Sequence, residues 1–482
     1  MISTTVLVIG AGFSGICLGA KLRESDIPFI ILEKAQEVGG TWRDNTYPGA
    51  ACDTESHLYS YSFRPNPHWS RKFAEQPEIL DYLKNCAAEF GIRKHIRFGA
   101  EVSSARFDEA GGRWIVEIAD GEIIAAQFLV SAVGQLNRPS QPHIEGLETF
   151  KGGILHTARW DETCNLTGQT VAVIGTGASA VQLIPRIVKD VKRLVVFQRS
   201  PNWITAKGDR PYTAGELGWF RRVPLLTWLH RQFFYWRCEK SWPEFVNESK
   251  AARKAERNNL GILESGVGQA TLREKLTPRY SIGCKRVLLT DDYYPALQQS
   301  NVELVTDSVR RIEGNTVVTE SGQRHPVDML VFATGFRATE FLAPMAITGR
   351  DGRDLHDIWK NGAEAYLGIT VANFPNFFML YGPNTNLGHS SIIFMIECQV
   401  NYVVKCLKAV RRLGRNTIEV KEEIMRAFIG RLGTALQRMA WVASCSNWYK
   451  LASGRVVNNW SGTTSWYWWR TRKPKLAEYR LD

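Results

Sequence analysis

The sequence predicts an α/β fold in which two strand–glycine-loop–helix units are accompanied by a helical insert. Three observations carry that prediction. The run Val6-Leu-Val-Ile leads into Gly10-Ala-Gly12-Phe-Ser-Gly15, and 165 residues later Val171-Ala-Val-Ile leads into Gly175-Thr-Gly177-Ala-Ser-Ala180. Each run is apolar and β-rich, each glycine loop opens a helical pattern, and a second buried strand follows each, Phe29–Glu33 and Leu194–Gln198. From about Thr205 to Arg279 the periodicity turns helical, with a strongly charged stretch at Lys250–Asn259. Two Rossmann-like dinucleotide-binding domains with a helical insert fit this order.

Each element has its own justification. Met1–Thr5 carries no basic residue ahead of the run Val6–Gly10, so that run is read as a strand and not as part of a signal peptide. Arg113–Ile118 and Ile123–Val130 read as paired strands that close the first domain, and Gly134–Pro139 as a linker. Strand character returns at Val302–Val305 and at Met329–Ala333. A clear helix follows at about Ile393–Leu413, and the chain ends in an aromatic-rich tail. The expected division is 1–148 for the first part of the first dinucleotide domain and 149–204 for the first part of the second. The helical insert takes 205–280, the rest of the second domain 281–335, and the rest of the first domain with the tail 336–482.

Composition narrows the function classes. A chain of 482 residues, 44% hydrophobic and 22% charged, exceeds one ordinary domain and has ample material for a large core. No stretch approaches the ~20 uninterrupted apolar residues of a membrane span. The nine cysteines are scattered, odd in number and lack a Cys-x-x-Cys pair. Neither a disulfide scaffold nor a dithiol reductase is expected, and a reducing cytoplasm fits best. The net charge of +12 suits nucleic acid, an anionic membrane surface or an anionic cofactor. No nucleic-acid motif and no separate basic block appears, so no nucleic-acid partner is expected, and no metal.

The glycine loops carry the first functional reading. Gly10 permits the tight turn, and Gly12 lets the backbone approach a pyrophosphate held at the positive end of the helix, with Phe13, Ser14 and Gly15 completing the cradle. Gly175, Thr176, Gly177, Ala178, Ser179 and Ala180 repeat it. Glu33 lies 18 residues past Gly15, where an acid accepts hydrogen bonds from ribose hydroxyls. The matching place in the second unit holds Arg199-Ser200, and Arg199 can grip a 2′-phosphate that an acid would repel. The first site therefore suits FAD or NAD and the second NADPH. Two nucleotides without a dithiol imply flavin chemistry.

Two longer motifs resemble a family. Phe150-Lys-Gly152-Gly-Ile-Leu-His156-Thr-Ala-Arg-Trp160-Asp161 resembles the fingerprint FxGxxxHxxxW of type I Baeyer–Villiger monooxygenases, the group of phenylacetone and cyclohexanone monooxygenases. Gly39-Gly40-Thr41-Trp42 through Tyr47-Pro48-Gly49 to Asp53 resembles a second motif of that family, and Ser281–Val287 its active-site arginine segment. The resemblance implies FAD and NADPH as cofactors, with Gly40, Thr41, Trp42, Asp53, Tyr59 and Val102 around FAD. It also implies that Lys285 joins Arg199 and Ser200 on the 2′-phosphate, that Arg286 is the catalytic arginine, and that Asp53 is its acidic partner. Thr334-Gly335 corresponds to the family's crossover back to the FAD domain.

The implied reaction takes a small-molecule ketone, O2 and NADPH to an ester or lactone through a flavin peroxide, with sulfoxidation as a side activity. That peroxide must stay anionic, which calls for a fixed cation. Arginine keeps its proton at neutral pH and stabilises charge on the adduct. His156 is expected to couple domain movements and not to act as a base. Two alternatives stay open: a flavin-containing monooxygenase oxidising N or S centres, and a non-catalytic flavin-binding or redox-sensing protein. The tail Trp460…Trp466-Tyr-Trp-Trp-Arg470 is read as a cover for the FAD domain. A membrane contact, which Arg221–Arg237 with its Leu, Trp, Phe and Arg would also suit, is the less favoured reading.

Overall fold

Parallel strands sandwiched between helices are buried on both faces, and the apolar runs before the two glycine loops are built for that environment. In the computed structural model, which describes residues 2–482, Ile2–Ile9 is a central strand of an eight-stranded sheet. It pairs in parallel with Phe29–Glu33 on one side and with Ile123–Ser131 on the other. Ile96–Phe98 extends the first side. On the second, Arg113–Ile118 and Val102–Asp108 add antiparallel. Two short strands arrive from the far end of the chain: Ala346–Thr348 pairs with Val102–Asp108, and Phe377–Met379 with Ile123–Ser131.

The second unit builds a five-stranded sheet that is parallel throughout, in the order Val302–Val305, Arg193–Phe197, Thr170–Ile174, Met329–Phe332, Gly153–His156. Ala172, Val195, Leu330 and Phe332, from three adjacent strands, are fully buried in its core. The chain crosses between the sheets twice, side by side. Ser140 N–H donates to the Gly335 carbonyl at 2.8 Å, and Arg337 N–H to the Arg138 carbonyl at 2.9 Å. The α/β reading with two Rossmann-like units is therefore what the chain adopts.

Four α-helices form the insert: Ala214–Arg222, Pro224–Ser241, Lys250–Gly266 and Ala270–Leu276. Lys250–Gly266 starts where the Ser249 hydroxyl caps the Ala252 N–H, and it buries one narrow stripe, Ala252, Ala255, Asn259 and Leu263. The charged residues seen in the sequence are its other faces.

Two expectations need correction. Cys284 and Cys445 form a disulfide, with Cα atoms 6.3 Å apart, although the scattered cysteines predict none. The fold returns the loop after the helix Glu422–Leu436 onto the segment before Lys285, and 161 residues of separation hide that contact from the sequence. The tail covers the FAD-type unit only in part. Trp460 and Tyr467 are buried, whereas Trp466, Trp468 and Trp469 are about half exposed. The short helix Thr464–Thr471 buries one face, through Thr464, Tyr467 and Thr471, so its remaining tryptophans point outward.

Candidate active site

The first glycine loop sits where the sequence places it. Gly10 has φ +104°, and a Cβ there would lie 2.7 Å from the Ala132 carbonyl oxygen. A Cβ on Gly15 would fall 1.9 Å from the Gly10 oxygen, so the helix Phe13–Arg23 can approach its strand only through glycine. Gly12 is different: its Cβ would meet only Gly40, at 3.7 Å. The two glycines face one another across a gap with no side chain in it, and the helix has no side-chain cap on its N-terminus. Backbone donors beside open space are what a pyrophosphate requires, so the loop fits a dinucleotide.

Glu33 is buried, not a solvated strand end. Its Oε2 accepts from Ala11 N–H at 2.9 Å, while Oε1 accepts from Ala35 N–H and from Arg43, both at 3.0 Å. Oε2 retains a lone pair for a ribose hydroxyl. Ala100 N–H bonds the Glu33 carbonyl, which places Val102 two residues beyond that contact. At the other end of the loop, Trp42 Nε1 donates to the Tyr59 hydroxyl at 3.0 Å, and Phe13 packs edge-on against Tyr59 at 5.2 Å. Thr41 Oγ1 reaches the Leu136 carbonyl at 3.4 Å.

The second loop repeats the geometry with more room. Gly175 has φ +107° and lies against the Ala333 carbonyl, and nothing stands within 4 Å of a Cβ built on Gly177. The helix Ala178–Ile187 again starts without a side-chain cap. Ala180, which replaces the third glycine, is fully buried. Beside this opening, Lys285 Nζ bonds Ser200 Oγ, and Arg199 stands close by and exposed. Burial, and then the neighbouring Arg199 cation, push the Lys285 ammonium below its ordinary pKa of 10.5. Two cations side by side with no carboxylate between them make a site for an anion.

Asp53 and Arg286 meet where the two units meet. The turn Tyr47–Asp53 is clamped to the second unit's helix. The Tyr47 hydroxyl donates to Gln182 Oε1 at 2.8 Å, and Gln182 Nε2 donates to the Ala51 carbonyl at 3.0 Å. A Cβ on Gly49 would lie 2.6 Å from the Gln182 carbonyl, so close docking needs glycine at this positive φ. Asp53 thereby faces Arg286, 233 residues away, and the pair is bidentate: Nε to Oδ2 at 2.9 Å, Nη2 to Oδ1 at 2.7 Å and to Oδ2 at 2.6 Å. The Asp53 charge raises the arginine's already high pKa, so the guanidinium is a permanent cation. About a third of its side chain, 35%, stays exposed.

Sequence reasoning did not find several groups around this centre. Tyr381 and Tyr449 stand near Arg286, and burial keeps both as neutral phenols. Arg43 locks Glu33, and Gln182 holds the Tyr47 turn. Tyr47 lies inside a quoted motif, but no local signal marks Tyr381, Tyr449 or Gln182. His156 lies at the crossover, its Nε2 3.4 Å from Thr334 Oγ1 and its Nδ1 accepting from Ala158 N–H at 3.0 Å. Burial lowers its pKa, which favours the neutral ring.

Known proteins share this architecture. Residues 3–262 match the FMO-like family, described as flavin-binding monooxygenase-like. A Baeyer–Villiger monooxygenase of Streptomyces coelicolor is 42% identical over 482 residues, spanning 99% of this chain and 92% of that protein. One of Pseudomonas aeruginosa is 40% identical over 479 residues, spanning 99% and 91%. Among solved structures, an oxidized steroid monooxygenase bound to NADP superposes with a TM-score of 0.88 at 31% identity, covering 99% of both chains. A closed crystal structure of cyclohexanone monooxygenase gives 0.90 at 29%, covering 100% of this chain and 99% of that one.

Proposed function

This chain belongs to the flavin-binding monooxygenase-like family, and we infer that within it the chain is a Baeyer–Villiger monooxygenase, using FAD, NADPH and O2 to convert a small-molecule ketone to an ester or lactone. The observation that carries the reading is the bidentate Asp53–Arg286 pair held at the junction of the two dinucleotide units. Relatives named for this activity run the length of the chain.

FAD belongs to the first loop, with Gly10, Gly12, Phe13, Ser14 and Gly15 under its pyrophosphate, Glu33 and Val102 at the adenosine end, and Gly40, Thr41, Trp42, Tyr59 and Asp53 towards the flavin. NADPH belongs to the second, with Gly175–Ala180 under the pyrophosphate and Arg199, Ser200 and Lys285 on the 2′-phosphate. The bound flavin, reduced by NADPH, supplies the oxygen-transfer chemistry. Arg286 faces the reacting centre as a cation that cannot lose its proton. Asp53 occupies Nε and Nη2, which fixes the guanidinium plane and leaves Nη1 as the donor for negative charge developing on the ketone oxygen. His156, at the crossover, couples the movement of the two units.

The divisions at 148 and 335 are supported by which sheet each strand joins, and those at 204 and 280 by the run of helices from Ala214 to Leu276. Among the described residues no helix is long and apolar enough to cross a membrane, and a cytoplasmic setting is the one we propose. NADPH added without oxygen should bleach the bound flavin, and with oxygen and a ketone it should yield an ester. A sulfoxide or N-oxide as the sole product, with every ketone refused, would overturn the assignment.

A further inference from the structure

We propose that the insert helix Pro224–Ser241, together with the tail helix Thr464–Thr471, docks the enzyme on the surface of an anionic lipid bilayer. A surface helix ordinarily buries its apolar stripe and turns its polar face outward. Pro224–Ser241 does the reverse. Its buried positions recur every four residues and are polar or charged: Thr227, Arg231, Tyr235 and Glu239. Its outward positions are Leu225, Leu226, Trp228, Leu229, Phe233 and Trp236, each between 37% and 63% exposed.

This inversion is fixed by the fold. Arg231 Nη1 donates to the carbonyls of His57 at 2.7 Å and Ser60 at 2.9 Å. Glu239 accepts from Thr464 Oγ1 at 2.6 Å and from Thr464 and Ser465 N–H, both at 3.0 Å. Thr227 Oγ1 donates to the Phe220 carbonyl at 3.1 Å. Rotating the helix to hide its leucines would strand these groups without partners, including a buried guanidinium and a buried carboxylate. The Glu239 bonds also pin the start of Thr464–Thr471 against the end of the insert helix. Exposed Trp466, Trp468 and Trp469 are thus carried on a helix whose start is bonded to the insert helix that bears exposed Trp236 and Phe233.

The charge around this apolar surface selects its occupant. From Leu217 to Lys240 the only acid is Glu239, which is buried, while Arg221, Arg222, Arg237 and Lys240 are exposed. From Trp460 to Ala477 there is no acid, and Arg472, Lys473 and Lys475 are exposed. Tryptophan, phenylalanine and leucine fringed by arginine and lysine match the interface of an anionic bilayer, with rings at the headgroup level and cations on the phosphates. A second copy fits poorly, because a two-fold contact sets each patch against itself and would bring these cations together, while the flanking acids Glu216 and Glu478 are already bonded to Arg210 and Arg470. Since no helix among the described residues is long and apolar enough to cross a bilayer, these two helices would lie on its surface.

The test uses FAD-loaded enzyme and vesicles of equal parts phosphatidylglycerol and phosphatidylcholine, read by flotation and by tryptophan quenching with bromine-labelled lipid. The wild type should float with these vesicles at about 0.1 M salt, bind phosphatidylcholine vesicles more weakly, and detach at about 1 M salt. Leu229→Glu combined with Phe233→Glu should weaken binding at least ~10-fold. Arg221→Gln and Arg222→Gln should each weaken it about fivefold. NADPH oxidation should be unchanged in all three. Absence of flotation by the wild type, or undiminished flotation of the double glutamate variant, would overturn the proposal. So would a wild-type dimer in light scattering that ignores vesicles and becomes monomeric with the glutamates, since the patch would then serve a second copy of the chain.

Discussion

Replacing Lys285 by alanine should cost the enzyme its preference for NADPH while leaving its use of NADH intact. Lys285 is partly buried, bonded to Ser200 and pushed down in pKa by burial and by Arg199, so it is held in place before any phosphate arrives. A charge-assisted bond from such a group contributes about 1.5–3 kcal/mol. Removing Lys285 also relieves its repulsion with Arg199, which favours the lower part of that range, ~1.5–2 kcal/mol, or about ten- to thirtyfold in the KM for NADPH. Arg199 is exposed and its contact is screened by solvent, so Arg199→Ala should cost only ~0.5–1 kcal/mol, about two- to fivefold. Steady-state KM and kcat for both nucleotides, in wild type and both variants, measure this. NADH separates a phosphate contact from damage to neighbouring Arg286, because such damage would lower turnover with either nucleotide. Equal losses for NADPH and NADH, or a larger effect at Arg199 than at Lys285, would refute the reasoning.

Further outcomes follow from the same geometry. Gly12→Val should fold but purify colourless, because only Gly40 stands near the added carbons and the pyrophosphate's space is what they fill, whereas Gly15→Ala should fail to fold against the Gly10 carbonyl; absorbance and thermal melting separate the two. The NADPH preference should be complete at neutral pH and decline with rising pH below 10.5, since the depressed Lys285 loses its proton earlier than an ordinary lysine, and Lys285→Arg should abolish that decline. Thiol titration of the unfolded chain should find seven free cysteines before reduction and nine after it.

The elements readable from the sequence are those whose signal is local. Both glycine loops, the strands Phe29–Glu33 and Val302–Val305 and the helix Ile392–Arg412 announce themselves by composition and period. Ala346–Thr348 and Phe377–Met379 do not, because a three-residue strand carries no periodicity and its place is set by the sheet edge it joins. The site divides in the same way. Arg199 follows from motif position, and Lys285, Asp53 and Arg286 from resemblance, yet the bidentate geometry of Asp53 and Arg286 depends on the Tyr47–Gln182 clamp between separate units. Buried Glu33 shows the converse, an acid legible at its position whose lock by Arg43 and Ala11 is not. The inverted insert helix was ambiguous in sequence because hydrophobic periodicity alone does not say which face turns inward.

The reading of Asp53 and Arg286 as the oxygenating centre is tested most directly by following NADPH, ester and hydrogen peroxide together in wild type and Arg286→Ala. The variant keeps the Gly10–Gly15 loop and Glu33, so it should remain yellow and still oxidise NADPH, more slowly if Arg286 helps to seat the nicotinamide. Ester formation should fall ~10²–10³-fold, the usual cost of removing one fixed electrostatic stabiliser, and the oxygen consumed should return as hydrogen peroxide. Arg286→Lys should recover little, since an ammonium lacks the planar fork that Asp53 holds. Ester produced by Arg286→Ala at the wild-type rate and yield would contradict the account and remove this pair from the chemistry.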